Sequence, residues 1–311
     1  MRPSSASSGD SALRVAITGS TGLIGTALAE SLRGGGVEIT RLVRRPPAGN
    51  AELRWNPAVS DGGLDPAALS GIDAIVHLSG APVAGARWTA SRKQLLRSSR
   101  IASTGALVRA VLAAAEPPRV LLSASAIGWY GDTGERAVDE ATPAGLGFLA
   151  ALVRDWEAAA APAAAAGIRV VYLRSGVVLS RLGGMLRPLL PAFRLGLGAQ
   201  IGSGNQYLSW ITIADHLRAV RFLLDQADIS GPVNLTAPAP ATNAEFTRAL
   251  AAAVRRPALL SVPGPVVRLA LGELSAELLG SCRVLPSRLL EAGFSFDYPE
   301  IGPALAAAVR G

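Results

Sequence analysis

Three glycines, Gly19, Gly22 and Gly25, stand near the start of the chain between an apolar run and an amphipathic segment. The run Leu13–Thr18 predicts a buried strand, and Leu23–Arg33 predicts a helix. Glycine at these places permits a tight turn, lets the backbone approach a pyrophosphate, and allows the helix to pack closely on the sheet. Because the amides at a helix N-terminus attract anions, the segment predicts the phosphate-binding turn of a dinucleotide-binding domain. The contacts predicted for this turn are Gly19, Ser20, Thr21, Gly22, Leu23, Ile24 and Gly25.

Apolar runs alternate with helical segments over the first two thirds of the chain, which indicates a parallel sheet covered by helices on both faces. The further predicted strands are Val37–Val43, Glu52–Trp55, Ala74–Ser79, Arg119–Ser125 and Arg169–Leu173. The further predicted helices are Ala90–Ala115 and Phe148–Ala166, the second interrupted by Pro162. The predicted fold class is therefore α/β, a Rossmann-type doubly wound parallel sheet with a smaller, mainly helical C-terminal domain.

The regular alternation ends after Gly176, where a glycine-rich stretch precedes a predicted strand Tyr207–Ile211, a helix Asp215–Gln226 capped by Asp215, and a strand Pro232–Thr236. Thr242 and Glu245 have the spacing of a capping box, which predicts the start of another helix. The expected division is a disordered tail 1–12 and a dinucleotide-binding domain 13–180, to which 205–236 returns. Segments 181–204 and 237–311 are expected to form the smaller, substrate-side domain.

The end of the second strand distinguishes between dinucleotides, because a carboxylate there would bind the adenosine 2′-hydroxyl and an arginine would bind a 2′-phosphate. The sequence has Val43, Arg44 and Arg45 at this place and no carboxylate. NADP(H) is therefore the predicted cofactor, held by Arg44 and Arg45. The alternative is that both arginines belong to a solvated loop.

Composition excludes several classes of site. Cys282 is the only cysteine and His77 and His216 are the only histidines, so neither an intramolecular disulfide nor a zinc site is expected, and a cytoplasmic location is predicted. The net charge of +7 is spread along the chain without interleaved aromatics, so no nucleic-acid partner is expected. No stretch predicts a membrane-spanning helix. The expected partner is a small-molecule substrate, with a homodimer left open.

Several short segments resemble the extended short-chain dehydrogenase/reductase superfamily, and more narrowly its atypical branch of epimerase family proteins, also described as nucleoside-diphosphate-sugar epimerase-like. That branch carries a short C-terminal domain of unknown function. The resemblance covers nearly the whole chain. The segments that carry it, besides the glycine turn, are Arg87–Thr89, Ser99–Ile101, Ser123–Gly131, Asp155–Glu157, Leu173–Leu179, Ile201–Gly204 and Leu208–Ile211.

Typical members of the superfamily use a Tyr-x-x-x-Lys pair for proton exchange while a hydride moves to or from the nicotinamide. This chain lacks that pair, since Lys93 is its only lysine and no tyrosine stands four residues before it. The helix that carries the pair in relatives begins Phe148–Val153 here, with apolar residues at both places and Val153 at the place of the lysine.

The resemblance implies three candidate catalytic residues. Ser125 matches the serine at the end of the fifth strand and would hold a substrate carbonyl or hydroxyl; the alternative is a hydroxyl satisfied by backbone. Arg100 stands where typical members have an asparagine and would supply a fixed positive charge near the nicotinamide or an anionic substrate; the alternative is a helix-surface arginine. Tyr130 is the only phenol near the expected site and would replace the missing acid, unless it is structural.

The resemblance also adds cofactor contacts beyond the glycine turn. Trp55 is expected near the adenine, and the segment His77, Leu78, Ser79 and Gly80 is expected under the cofactor, with His77 structural rather than catalytic. Arg100 and Ser125 complete the predicted contacts. The predicted function is that of an NADP(H)-binding oxidoreductase or epimerase-like enzyme that acts on a small polar substrate. A nucleotide-linked substrate is one of the alternatives. The alternative is a non-catalytic NADP(H)-binding redox sensor or scaffold.

Overall fold

The structure, a computed structural model, describes residues 12–59 and 63–310, so the predicted tail lies almost entirely outside the described residues. The helices are α1 (Leu23–Gly34), α2 (Ala90–Arg97), α3 (Ser103–Ala113), α4 (Phe148–Ala165), α5 (Leu186–Arg194), α6 (Ile213–Asp225), α7 (Asn243–Val254), α8 (Gly264–Leu271), α9 (Ser275–Leu279), α10 (Ser287–Glu291) and α11 (Ile301–Arg310). The strands up to residue 180 are β1 (Arg14–Thr18), β2 (Glu38–Val43), β3 (Glu52–Arg54), β4 (Ala74–His77), β5 (Val120–Ala126), β6 (Ala137–Val138), β7 (Arg169–Ser175) and β8 (Val177–Ser180). The later strands are β9 (Gly183–Gly184), β10 (Ala199–Ile201), β11 (Tyr207–Leu208), β12 (Trp210–Thr212), β13 (Gly231–Leu235), β14 (Ala241–Thr242), β15 (Leu260–Val262) and β16 (Arg283–Val284).

Seven strands form the central sheet in the order β13-β7-β5-β4-β1-β2-β3, and every neighbouring pair is parallel. The predicted Rossmann-type α/β fold is therefore confirmed. The order reverses at β1, whose neighbours are β2 and β4, and ligands of open α/β sheets bind beyond the carboxyl ends of the strands at such a point. The register places Thr18 beside His77, and Ser125 beside Arg174, at this edge.

Both faces of the sheet are covered, which explains why the central strands are continuous apolar runs. Val15 and Ile17 of β1 point into one core cluster, with Leu28 and Leu32 of α1, while Ala16 points into a second cluster on the opposite face. A third cluster joins α5, α7 and α11 and forms the core of the helical C-terminal part.

The helix predicted for Ala90–Ala115 is interrupted. α2 is capped by Thr89, whose side chain accepts a hydrogen bond from the Arg92 amide, and it ends at Arg97. A π-helical turn, Ser98–Ala102, then precedes α3. The segments on either side of this turn each keep a helical apolar pattern, and the turn shifts one pattern against the other by a single residue, so the sequence pattern alone predicted one continuous helix.

Two predictions after residue 200 are wrong in detail. The strand predicted for Tyr207–Ile211 is divided into β11 and β12, which belong to different sheets. Between them lies Ser209, whose hydroxyl donates to the Cys282 carbonyl at 2.7 Å and accepts from the Val284 amide at 2.8 Å. The helix α6 is capped by Thr212 rather than by Asp215, which occupies its first turn.

The C-terminal part is mainly helical, as predicted, and the capping box of Thr242 and Glu245 is present at α7. The strand β13 extends the main sheet beside β7. The predicted domain boundaries themselves stay a prediction. Across residues 12–59 and 63–310, no helix has the length and apolar character needed to cross a membrane.

Candidate cofactor and substrate site

The glycine turn leaves no room for side chains. Gly19 has φ of 66°, and a Cβ there would lie 2.7 Å from the Leu78 carbonyl oxygen. A Cβ at Gly25 would overlap the Gly19 carbonyl group, so only glycine lets α1 begin this close to β1. Gly22 forms the N-cap of α1 without a side-chain cap, and the first turn of the helix has no acidic residue. The free amides at this N-terminus fit an anionic phosphate.

Beside this turn lies a cleft of about 470 Å³. One wall is the turn and the start of α1, including Gly19, Gly22, Leu23, Ile24 and Gly25. The other walls come from Leu78 after β4, from the end of β5 with Ser125, from α4, and from Ser175 at the end of β7 and Val177 at the start of β8. The cleft therefore lies at the carboxyl edge of the sheet. Ser20 is buried beside the turn and its hydroxyl has no partner within the described residues, while Thr21 is exposed.

The two arginines at the end of β2 differ in their environment. Arg45 donates to both carboxylate oxygens of Glu52, at 2.7 and 2.6 Å, and this contact lowers the pKa of Glu52. Arg44 is exposed, and no side-chain hydrogen bond or ion pair engages it within the described residues. Glu52, at the start of β3, was not recognised as a partner from the sequence. Arg44 is therefore the arginine that remains available for a 2′-phosphate.

His77 is structural in its contacts. Its Nδ1 lies 2.8 Å from the Thr18 hydroxyl and its Nε2 lies 3.0 Å from the Thr104 hydroxyl, so it joins β4 to β1 and α3. Complete burial lowers the pKa of His77 to about 3, so the ring is neutral. Trp55 is 2% exposed and meets His77 edge to face, with ring centroids 5.7 Å apart.

Arg100 lies in the π-helical turn and lines the cleft, so it is not a surface arginine. It is 8% exposed, and its Nη1 donates to the Leu96 carbonyl at 3.3 Å. The guanidinium lies 5.1 Å from the ring of Trp156, and no carboxylate pairs with it within the described residues. Burial, with a smaller contribution from Arg92, lowers the pKa of Arg100 to about 10, so it stays charged at neutral pH. Gly80 lies next to it, since a Cβ there would lie 3.2 Å from the Arg100 guanidinium carbon, and Ser79 precedes Gly80 in the chain.

Ser125 also lines the cleft, and its hydroxyl is bound by a side chain rather than by backbone. It donates to Oε1 of Glu157 at 2.6 Å. Glu157 in turn forms a bidentate pair with Arg174, at 2.8 and 2.9 Å. The two side chains of this ion pair are only 9% and 3% exposed.

Tyr130 is separated from Ser125 and Arg100, because it does not line the cleft. It is 3% exposed, donates to Asn234 at 2.7 Å, and accepts from Arg174 at 3.1 Å. Burial raises the pKa of Tyr130 to about 12, although Arg174 acts in the opposite direction. These contacts agree with the structural alternative for Tyr130.

One side of the cleft is apolar. Leu149 and Val153 of α4 line it, and Lys93 pairs with Glu273 outside it. Within the described residues there is no group of three potential metal ligands.

Sequence reasoning missed four polar residues here: Glu157, Arg174, Ser175 and His216. Ser175 and His216 line the cleft, and the Ser175 hydroxyl lies 3.0 Å from Nε2 of His216. Burial lowers the pKa of His216 to about 4. A usable signal existed for the other two, because Glu157 and Arg174 each interrupt an apolar run at a place that must be buried, and buried charges require partners.

A parallel sheet with a glycine cradle at its first turn, and a cleft at its carboxyl edge, defines a dinucleotide-binding protein of the Rossmann type. Comparison with known families is more specific. The chain belongs to the NAD dependent epimerase/dehydratase family, whose model matches residues 15–235, and a domain of unknown function, DUF1731, matches residues 262–308. The resemblance drawn from the sequence is thereby confirmed.

Relatives match the chain over nearly its whole length. An epimerase family protein of Mycobacterium tuberculosis is 52% identical over 295 residues, covering 94% of this chain and 97% of the relative. The crystal structure of human epimerase family protein SDR39U1 (isoform 2) with NADPH has a TM-score of 0.87 and 34% identity, and the match covers 96% of this chain and 100% of that chain. A nucleoside-diphosphate sugar epimerase from Corynebacterium glutamicum has a TM-score of 0.79 and 36% identity, covering 96% of this chain and 58% of that one.

Proposed function

We propose that this chain is an NADP(H)-dependent oxidoreductase or epimerase-like enzyme that acts on a small polar substrate in the cleft. The observation that carries the proposal is the glycine cradle: backbone atoms fill the Cβ positions of Gly19 and Gly25, and the bare N-terminus of α1 opens beside the cleft. The human relative solved with NADPH supports the choice of cofactor. A cytoplasmic location belongs to the same proposal, supported by the single cysteine.

Different residues of the chain would bind different parts of the dinucleotide. The amides of the first turn of α1, from Leu23 onward, would hold the pyrophosphate, and Arg44 would hold the 2′-phosphate by charge-assisted hydrogen bonds. The remaining proposed contacts are Ser20, Thr21, Trp55, Leu78, Ser79 and Gly80, with His77 fixing the strand ends beneath them. The bound dinucleotide supplies the hydride donor or acceptor.

On the substrate side, Arg100 provides a fixed positive charge and Ser125 a fixed hydrogen-bonding group. Neither role requires proton exchange, which suits a cleft that has Leu149 and Val153 in place of an acid. A nucleotide-linked substrate remains within the proposal, supported by the description of the Corynebacterium relative as a nucleoside-diphosphate sugar epimerase.

Calorimetry with NADPH and NADH tests the cofactor assignment. We expect the native chain to bind NADPH more tightly than NADH and Gly22→Val to abolish binding, because its Cβ would lie 3.3 Å from the Gly19 carbonyl oxygen and its methyl groups would occupy the phosphate approach. Gly34→Val is the matched control, since a Cβ at Gly34 meets nothing within 4 Å. Undiminished affinity in Gly22→Val, or equal affinity for the two dinucleotides, would contradict the assignment.

The second candidate is a non-catalytic redox sensor or scaffold, favoured by the apolar Leu149 and Val153 at the places of the usual pair. Turnover of any substrate would exclude it. A partner protein whose binding changes between NADPH and NADP⁺, without turnover, would support it over the enzyme.

A further inference from the structure

The hydrogen bonds in the buried network behind Ser125 have fixed directions, because the network contains groups that can only donate or only accept. Asn234 Nδ2 lies 2.9 Å from the Leu285 carbonyl oxygen. Because a backbone carbonyl only accepts, the atom facing it must be the amide nitrogen, and the side-chain oxygen of Asn234 must be an acceptor. The Tyr130 hydroxyl, 2.7 Å from that oxygen, therefore donates to it.

The same logic runs back toward the cleft. Arg174 can only donate, and it gives one hydrogen bond to the Tyr130 oxygen at 3.1 Å and two to the carboxylate of Glu157 at 2.8 and 2.9 Å. A carboxylate paired in this way can only accept. Ser125, 2.6 Å from Oε1 of Glu157, must then donate its proton, and 2.6 Å is the usual length of a hydroxyl–carboxylate hydrogen bond. The Ser125 oxygen is left with lone pairs alone for a ligand in the cleft.

Arg100 is the complementary group in the same cleft. The only hydrogen bond of its guanidinium within the described residues goes to the Leu96 carbonyl, at 3.3 Å, and the guanidinium has no acidic partner there. A buried guanidinium without a carboxylate is costly unless an anion completes it, and its planar donors fit a carboxylate. The walls around both groups are largely apolar, with Leu149, Leu152 and Val153 of α4 among them.

We propose that Ser125 acts toward the cleft only as a hydrogen-bond acceptor, and that the site therefore selects a small hydroxy acid, whose hydroxyl donates to Ser125 and whose carboxylate pairs with Arg100. This inference rests on the proposed function for the dinucleotide end of the cleft. A volume of about 470 Å³ must hold both the reactive end of the cofactor and the substrate, which favours a small acid. The corresponding oxo acid presents a carbonyl oxygen to the lone pairs of Ser125, so two acceptors face each other and binding weakens.

Four probes that do not react with NADP⁺ separate these interactions. 2-Hydroxyisobutyrate has the hydroxyl and the carboxylate, isobutyrate lacks the hydroxyl, tert-butanol lacks the carboxylate, and pyruvate has a carbonyl in place of the hydroxyl. Titration of the protein saturated with NADP⁺, followed by ligand-observed NMR, should give 2-hydroxyisobutyrate an affinity about tenfold above each of the other three, which is the effect of one lost hydrogen bond or ion pair in a buried site.

Variants assign each contact. Ser125→Ala should lower the affinity for 2-hydroxyisobutyrate to that for isobutyrate, and Ser123→Ala, on the same strand and outside the cleft wall, should leave it unchanged. Arg100→Gln should remove the advantage over tert-butanol, with the exposed Arg109→Gln as its control. Tighter binding of pyruvate than of 2-hydroxyisobutyrate would overturn the inference, because Ser125 would then be a donor. Loss of NADP⁺ affinity in Arg100→Gln with unchanged probe binding would overturn it as well, by assigning Arg100 to the cofactor.

Failure of the proposed function gives a different result. If the native chain does not bind NADP⁺ in calorimetry, the cofactor assignment fails, and the same four probes titrated without dinucleotide still measure the polarity of Ser125. The ranking of the hydroxy acid against pyruvate then decides the inference by itself.

Discussion

The buried ion pair of Glu157 and Arg174 gives the sharpest prediction about stability. Its side chains are only 9% and 3% exposed, and Arg174 also lies 3.9 Å from the ring of Trp129. In Glu157→Gln the guanidinium stays in the core without its charge partner. Breaking a buried pair from one side costs about 3–5 kcal/mol. Because natural domains have a free energy of unfolding of about 5–15 kcal/mol, this single change should remove about 30–50% of a mid-range value of about 10 kcal/mol.

Urea unfolding followed by tryptophan fluorescence measures this loss, with an unchanged m-value indicating that the unfolded state is the same. The matched control is Arg221→Gln, which breaks the surface pair of Arg221 and Asp225 at 2.8 Å, where the side chains are 41% and 49% exposed. That pair should contribute only about 0.3–0.5 kcal/mol. The double variant Glu157→Met with Arg174→Met should recover most of the stability, because it leaves no charge buried. If Glu157→Gln lowers the free energy of unfolding no more than Arg221→Gln does, the argument that breaking this pair leaves an uncompensated charge in the core is wrong.

Three further predictions follow from the site and its surroundings. Arg44→Gln should weaken NADPH binding by about 1.5–3 kcal/mol and leave NADH binding unchanged. Arg45→Gln should have the smaller effect on NADPH binding, because Glu52 already binds the Arg45 side chain. If calorimetry gives the reverse order, the 2′-phosphate site is at Arg45. Burial lowers the folded-state pKa values of His77 and His216 to about 3 and about 4, from about 6.5 in the unfolded chain. As the pH drops from about 6.5 toward 4, the unfolded chain therefore binds protons that the folded chain does not. The free energy of unfolding should fall over this range by up to about 1.4 kcal/mol per pH unit for each histidine. Urea midpoints at several pH values measure that slope, and a slope that does not decrease in His216→Gln would contradict the assignment to this ring. Ser125→Ala and Arg100→Ala should each reduce any turnover by more than Tyr130→Phe does, because Asn234 and Arg174 hold the Tyr130 hydroxyl away from the cleft. Loss of turnover in Tyr130→Phe alone would instead identify this phenol as the acid.

Local features were predictable from the sequence. The strand β1, the glycine turn and the start of α1 follow one another along the chain, so the pattern of apolar residues and glycines determines them. The capping box at Thr242 and Glu245 is local in the same sense, because its partners are three residues apart. The parallel sheet followed from the alternation of strands and helices, since parallel strands require crossover connections, whereas no order of its strands was predicted.

Contacts between distant parts of the chain were not predictable in this way. Ser125 and Glu157 are 32 residues apart, and Tyr130 and Asn234 are 104 apart, so neither hydrogen bond leaves a trace in any local pattern. The division of Tyr207–Ile211 at Ser209 has the same origin, because the hydroxyl of Ser209 binds backbone groups of Cys282 and Val284. The role of Arg45 was missed for a different reason: its partner Glu52 is only seven residues away, but the contact depends on how the loop between β2 and β3 folds back.

Because of the π-helical turn Ser98–Ala102, the position of the Arg100 charge in the cleft depends on the number of residues in this turn as well as on which residues they are. Its i to i+5 hydrogen bonding accommodates one residue more than a regular α-helix would. Deleting Ile101 or Ala102 from this turn would let α2 and α3 join as one regular helix, and each residue before the deletion, Arg100 included, would rotate by about 100° around the helix axis relative to α3. A descendant of this chain with that deletion would keep its sheet and its glycine turn, yet its arginine would leave the cleft. Alignments of relatives are therefore better sorted by the number of residues in this turn than by whether an arginine is present in it.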